Sequence, residues 1–218
     1  MMTITHHASD ALLLAYAAGH LSPAPALVIA SHLAMSRQSE MRLADFERLG
    51  GALLDEQPMA DVAPDLFGKM LARLDEPLPE ERIAVPRDHG VLDIGVDIPA
   101  PLAERQIGKW RTLAPGIRFA AVDVPEDTAH KVVLLRVAAG KALPMHGHTG
   151  SELTLILKGC FSDECGTYGP GDLEEEDSAS DHQPIVGPQG ECICLSVIEG
   201  SLRPHGWVAR LMMPLFGF

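Results

Sequence analysis

The 218-residue sequence lacks a long apolar run. A segment that crosses a membrane as a helix needs roughly 18 or more consecutive apolar residues, and no stretch approaches that length. The N-terminus also lacks a cationic segment followed by an apolar one, which is the pattern of a secretory signal peptide. We therefore expect a cytoplasmic protein with no membrane-spanning segment.

Basic residues are scarce. The chain has 17 Lys and Arg against 30 Asp and Glu, a formal net charge of −13. Binding to nucleic acid or to an anionic membrane surface depends on clustered basic side chains. The charge balance therefore argues against direct nucleic acid binding and against membrane adhesion, whereas a basic protein partner is compatible with it.

Cysteine is also scarce, and the first half of the chain has none. The four cysteines are Cys160, Cys165, Cys192 and Cys194. A cytoplasmic chain of this size has little need of a disulfide framework. Cys192 and Cys194 stand two apart in a strand-like segment, so they point the same way. They fit either interior packing, which we favour, or part of a redox sensor.

The chemistry is concentrated in residues 140–159, which read GKALPMHGHTGSELTLILKG. His146 and His148 stand two apart, so on a strand both rings leave the same face. Glu152 opens the next apolar run, and a hairpin can fold its carboxylate back beside the rings. A third imidazole could come from His182, beyond the turn at 169–171. Three imidazoles and one carboxylate suit Zn, Fe, Mn, Ni or Cu, and spacing alone does not choose among them.

The C-terminal half predicts an all-β barrel, because short apolar runs alternate with Gly, Pro and acidic turns. The predicted strands are 110–112, 117–124, 131–137, 153–157, 192–197 and 208–215. The acidic run 174–177 is expected to form a solvated loop.

The N-terminal half predicts a small helical bundle. Four segments have the apolar spacing of short helices: 9–19, 22–35, 41–54 and 65–74. A Pro-rich stretch with interspersed charges follows them and favours extended backbone. The predicted fold is therefore a multidomain α+β chain, with a helical domain at 1–82, a linker at 83–104 and a barrel domain at 105–218.

One predicted helix carries a metal-like pattern with altered donor atoms. His32, Ser36 and Ser39 lie at i, i+4 and i+7, on one helix face, and His7 lies upstream. A serine hydroxyl stays protonated at neutral pH and is a poor zinc ligand. We therefore predict that this half holds no tightly bound zinc.

Both halves resemble known families. The spacing Gly-x5-His-x-His-x3-Glu-x6-Gly at 140–159 resembles the first motif of the cupin superfamily, and the turn at 169–171 with His182 resembles the second. This implies a jelly-roll barrel whose metal ligands are His146, His148, Glu152 and His182. The helical half resembles the zinc-binding anti-sigma factors, whose signature is an N-terminal His followed by H-x-x-x-C-x-x-C. His7 and His32 match the imidazole ligands of that signature, and Ser36 and Ser39 stand at its thiolate positions.

The combination resembles the ChrR type of anti-sigma factor. The segments HHASDALL at 6–13, WRTL at 110–113 and CICL at 192–195 are also similar to that type. The resemblance implies a regulator that silences an extracytoplasmic-function sigma factor until an oxidative signal arrives. It implies zinc as the barrel metal, with Fe, Mn or Ni also compatible, and leaves open a homodimer formed through the cupin domain. The alternative is a metal-dependent cupin enzyme, such as a dioxygenase or isomerase, with an accessory helical domain.

Overall fold

The computed structural model describes residues 3–74, 76 and 95–204. The predicted order of a helical N-terminal region and a β-rich C-terminal region is confirmed. The helices are α1 Asp10–Ala17, α2 Pro23–Met35, α3 Arg37–Asp55, α4 Leu66–Leu74 and α5 Ala100–Ala103. Among the described residues, no helix combines the length and the apolar character that crossing a membrane requires.

In the described part of the chain, twelve strands follow the helices. They are β1 Arg111–Ala114, β2 Ile117–Val122, β3 His130–Val137, β4 His146–His148, β5 Glu152–Lys158, β6 Phe161–Ser162, β7 Thr167–Tyr168, β8 Leu173–Glu176, β9 Asp181–His182, β10 Ile185–Val186, β11 Cys192–Glu199 and β12 Leu202–Pro204. The predicted strand at 208–215 lies outside the described residues.

The strands form three antiparallel sheets. The largest has six strands in the order β1-β2-β3-β11-β5-β8, and two smaller sheets have the orders β10-β6-β7 and β12-β4-β9. Side chains of the large sheet, including Ile117 and Ile156, share one buried cluster with Phe161 and Val186 of the β10-β6-β7 sheet. The large sheet and the smaller ones thus enclose a barrel interior.

The large sheet is buried on both faces. Alternate residues face opposite sides of a strand, and on the outer side Leu134 and Leu195 join one buried cluster with Leu27 and Val28 of α2. Nearly every residue of β5 and β11 is consequently buried. The helical half and the barrel therefore share a continuous apolar core.

The end of the predicted linker is helical. Proline is favoured in the first turn of a helix because N–H groups there have no intrahelical acceptor, so its lack of an N–H loses no hydrogen bond. Pro99 and Pro101 occupy the start of α5. Leu102 of α5 is fully buried in the core that α2 shares with the sheet. The same prolines had indicated extended backbone, so proline content alone misjudged this segment.

All four predicted helical segments of the N-terminal half are present, but they are not equally buried. Tyr16 and Phe46 pack against the shared core, whereas no residue of α4 is buried. The large apolar side chains left exposed along α3, α4 and the connection between them are Met41, Leu49, Leu53, Leu54, Met59, Val62, Leu66, Phe67, Met70, Leu71 and Leu74.

Candidate metal centre

Three strands bring the four predicted ligands together. His146 and His148 lie on β4, Glu152 opens β5, and His182 ends β9. Strand β4 pairs with β9 so that His146 lies opposite His182. One ligand atom from each of the four side chains lies within 4.8 Å of the others.

The donor atoms converge at short distances. Nε2 of His148 lies 3.0 Å from Oε2 of Glu152, and Nε2 of His146 lies 3.9 Å from the same oxygen. The Nε2 atoms of His146 and His182 are 3.2 Å apart. Nδ1 of His146 donates to the carbonyl oxygen of Pro144 at 2.8 Å. This bond leaves the Nε2 lone pair directed at the cluster, as in histidines that bind metals.

The buried atoms of this cluster fit a divalent cation. His148 is fully buried. Its Nε2 lies 3.0 Å from Oε2 of Glu152, but the contact does not have hydrogen-bond geometry, so both ring nitrogens and this oxygen lack a hydrogen-bond partner within the described chain. Buried polar atoms without partners are costly and rare. Burial opposes ionisation of Glu152, but His146 and His148 outweigh it and hold its pKa below the ordinary value. An anionic oxygen beside three imidazoles is a donor set for Zn, Fe, Mn or Ni.

Two carboxyl groups that the sequence analysis missed lie behind His182. Its Nδ1 is 3.5 Å from Oδ2 of Asp163 and 3.5 Å from Oε1 of Glu174. Metal-binding histidines usually direct the second ring nitrogen at such a partner, which fixes the tautomer and the ring orientation. Neither contact is a hydrogen bond, since Nδ1 of His182 has no hydrogen-bond partner among the described residues. We predict that Asp163 and Glu174 orient the ring when a metal is bound.

The prediction of a solvated loop at 174–177 was wrong. Residues 173–176 form β8, and Glu174 is 2% exposed and Glu176 is 7% exposed. Burial, the carboxyl of Asp163 and the charge of Glu152 raise the pKa of Glu174 to about 10. Glu174 is therefore protonated at neutral pH. An acidic run carries no apolar alternation, so its sequence gave no signal that alternate residues point inward.

A cavity of about 320 Å³ adjoins the cluster inside the barrel. His146, Glu152, Glu174 and His182 line one part of it. Cys192 and Cys194 also line it, both buried, and burial raises the pKa of Cys192 to about 12. The two thiols thus point the same way, as predicted, and behave as small apolar wall residues.

The second predicted group, in the helical half, also comes together. Nδ1 of His7 lies 3.0 Å from Oγ of Ser36, which lies 3.1 Å from Oγ of Ser39, which lies 2.8 Å from Nε2 of His32. Nδ1 of His32 lies 2.9 Å from the carbonyl oxygen of Gly171. We call these four side chains the Ser–His chain.

The carbonyl oxygen of Gly171 determines which atoms of the Ser–His chain carry protons. A carbonyl oxygen only accepts, so Nδ1 of neutral His32 donates to Gly171 and its Nε2 accepts from Ser39. The hydroxyl of Ser36 donates to Ser39, so the bond from His7 must be donated by its Nδ1. Burial lowers the pKa of His32 to about 4, so the ring is neutral at pH 7.

The Ser–His chain does not fit zinc. Its hydroxyl hydrogens are all used in hydrogen bonds, and a serine hydroxyl does not become an anionic ligand as a thiol does. Ser36 additionally caps α3 by accepting from the backbone N–H of Ser39. Hydrogen bonds among the four side chains therefore join the helices here, in place of the zinc ion that the family signature would bind.

The Ser–His chain ends on the barrel, at the turn that precedes β8. Beside Gly171, the carboxylate of Asp172 accepts from the backbone N–H groups of Thr5 at 2.6 Å and His6 at 2.8 Å. The N–H of Leu173 donates to the carbonyl oxygen of His6 at 3.1 Å. One turn therefore contacts the N-terminal segment and His32, while the strand that follows it carries Glu174 into the barrel.

Comparisons with known proteins cover both halves. Residues 102–201 match the family described as the ChrR cupin-like domain. The chain is 37% identical over 225 residues to the anti-sigma-E factor ChrR of Cereibacter sphaeroides, a match that covers 99% of each chain. The crystal structure of Rhodobacter sphaeroides SigE in complex with the anti-sigma ChrR matches at 35% identity with a TM-score of 0.72, over 90% of this chain and 100% of the matched one.

Proposed function

Because the chain belongs to the ChrR family of anti-sigma factors, we propose that it binds an extracytoplasmic-function sigma factor and withholds it from transcription. Residues 1–82 are the proposed sigma-binding domain, 83–104 the linker and 105–218 the sensor domain, which releases the sigma factor on oxidative stress. The proposed partner acts in the cytoplasm, and so would this chain.

The observation that carries this proposal is the exposed apolar surface of α3 and α4. On α4, Phe67, Met70, Leu71 and Leu74 follow the spacing i, i+3, i+4 and i+7, which places them on one face. Phe67 is 73% exposed and Leu74 is 78% exposed. Contiguous apolar surface of this kind marks a protein interaction site, and such spacing suits a helix that docks in an apolar groove.

The charge of the chain supports a basic partner. A net charge of −13 attracts the basic surfaces that a sigma factor offers to DNA. Such attraction sets the encounter rate and the orientation more than the affinity. The affinity is therefore assigned to the apolar face of α4 and the adjoining side chains of α3.

The test compares two single substitutions on α4. Phe67→Asp places a charge on the apolar face, whereas Ala72→Asp adds the same charge on the opposite face. Both positions are exposed, so neither change disturbs the core. We expect Phe67→Asp to weaken binding of the cognate sigma factor by about 30-fold or more, the effect of losing an interface hot spot, and to restore transcription from its promoter. Equal binding by the two variants would refute this assignment.

We further propose that the barrel holds one divalent metal through His146, His148, Glu152 and His182, with zinc as the first candidate and Fe, Mn or Ni as alternatives. The converging donor atoms support this. A bound metal would supply Lewis acidity and an attachment point for an oxygen ligand. The protein would orient His146 through Pro144.

The second candidate function is a metal-dependent enzyme of the dioxygenase or isomerase type. The cavity beside the four ligands favours it, because a substrate could reach the metal there. Turnover of a small molecule by a chain that binds no sigma factor would establish this alternative.

A further inference from the structure

The barrel cavity is too large to be a packing defect. Protein interiors contain few voids larger than a water molecule, and this cavity measures about 320 Å³. Its wall is formed by inward-facing residues of adjacent strands, such as Ile117 and Phe119 on β2 and Val133 and Leu135 on β3. An apolar cavity left empty lowers stability in proportion to its volume. The cavity therefore has the character of a binding site.

Its size sets the size of an occupant. An apolar cavity of about 150 Å³ accepts benzene. The barrel cavity has about twice that volume, so it holds an apolar body of roughly twelve carbons by the same proportion.

The polar part of the wall sets the chemistry of the head group. Thr154 donates to Glu152 at 3.0 Å and lies 2.7 Å from the hydroxyl of Ser196, whose proton it must then accept. The hydroxyl donors of this wall are thus consumed within it, and Nδ1 of His146 is bonded to Pro144. A polar head group would be held mainly by a metal bound at the four ligands, and oxygen donors suit such a metal.

The same region offers an anion no attraction when no metal is bound. The carboxyl group of Glu152 lines this part of the wall and is buried there. A carboxylate ligand would lie directly against it, and none of the described residues that line the cavity is a lysine or an arginine. Binding of an anionic head group must therefore depend on the metal.

We propose that the barrel interior binds a medium-chain carboxylate, with its apolar chain along β2, β3 and β11 and its head group at the metal. This proposal rests on the proposed metal centre and gives the sensor domain a ligand class. Ala142 and Pro144, both exposed, and His146, half-buried, line the cavity where it reaches solvent. A linear molecule can enter there.

The test is calorimetric titration of the full chain, loaded with zinc, with linear saturated carboxylates of four to sixteen carbons. Each buried methylene contributes about 0.8 kcal/mol, so affinity should rise about fourfold per added carbon. The rise should stop at roughly twelve carbons, where the cavity is full. The zinc-free chain, prepared with a chelator, should bind the same carboxylates at least about tenfold more weakly.

Two substitutions of Val133 reduce the cavity volume by different amounts. Val133→Phe should move the optimum down by about four carbons, and Val133→Ile by about one, since each added heavy atom displaces roughly one ligand carbon. Val133→Ile adds a single methylene and serves if Val133→Phe fails to fold. Neither substitution touches the four proposed ligands or α4, so zinc content and sigma-factor binding should stay unchanged.

The outcomes distinguish failure of the ligand proposal from failure of the proposed metal centre on which it rests. A chain that retains zinc but binds no carboxylate, or binds all lengths equally, overturns the ligand proposal alone. A chain that retains no metal overturns the metal centre and the ligand proposal together. An optimum that does not move in either Val133 variant shows that the carboxylate lies outside the cavity and also overturns the proposal.

Discussion

Replacing two hydroxyls by thiols should convert the Ser–His chain into a zinc site. In the double variant Ser36→Cys, Ser39→Cys, the donors would be two thiolates, Nε2 of His32 and a ring nitrogen of His7. Nε2 of His32 already presents its lone pair, because Nδ1 is bonded to Gly171. The substitution changes one atom in each of two side chains and leaves the backbone as it is.

The magnitude follows from the distances. Neighbouring donor atoms are now 2.8 to 3.3 Å apart. A tetrahedral zinc with bonds of about 2.0 to 2.3 Å requires donor separations of about 3.3 to 3.8 Å. The donors must therefore move apart by about 0.5 Å, and the longer carbon–sulfur bonds supply part of this. Free zinc at 100 times the dissociation constant adds about 2.7 kcal/mol of stability, or roughly 5 to 10 °C in Tm for a chain of this size.

The assay combines elemental analysis with thermal unfolding. Both are done in a His146→Ala, His148→Ala background, which removes the proposed barrel metal, so zinc content should rise from zero to one per chain when the thiols are introduced. Ser36→Cys alone is the matched control and should bind zinc weakly. A double variant without zinc would refute the geometric argument, and one zinc per chain in the serine parent would refute our claim that the Ser–His chain does not fit zinc.

Three further predictions concern the barrel metal and His32. His146→Ala, His148→Ala in the otherwise native chain should lose the barrel metal, and full metal content by elemental analysis would contradict the proposed ligands. Asp163→Asn should lower metal affinity about 10- to 100-fold without changing the saturated stoichiometry, as measured by competition with a chelator; unchanged affinity would mean that Asp163 does not position His182. The pKa of His32 is about 4 in the folded chain, against an ordinary value of 6.5 for histidine, so the unfolded chain takes up the proton first as pH falls. The stability contributed by neutral His32 is thus present above pH 6.5 and is lost towards pH 4, by about 2 kcal/mol between pH 7.5 and pH 5; urea titrations at the two pH values should show this loss, and a His32→Gln variant with the same loss would refute it.

The sequence could predict the candidate site where spacing maps directly onto geometry. The interval between His146 and His148 places both rings on one strand face, and the fold brings Glu152 and His182 beside them. Asp163 and Glu174 could not be predicted in this way. Their role depends on which strands become neighbours in space, and neither an acidic run nor a lone aspartate carries that information.

The sequence predicts the fold's elements but not which surfaces those elements contact. Apolar periodicity gives the helical segments, but it does not say whether an apolar face meets the core or a partner protein. For α4 the face is exposed, and for α2 it packs on the sheet. The same limit explains α5, since the proline content of 83–104 fits both an extended linker and the first turn of a short helix.

The core that α2 shares with the outer face of the six-stranded sheet restricts which segments of this protein recombination could replace. A recombination joint between the two halves would separate Leu27 and Val28 from Leu134 and Leu195. Each product would then expose an apolar face that the native chain covers, at a cost of about 25 cal/mol for each Å² of apolar surface returned to water. A functional chimaera must therefore inherit α2 and the sheet as a matched pair, so the helical half and the barrel are expected to change together during evolution rather than as interchangeable modules.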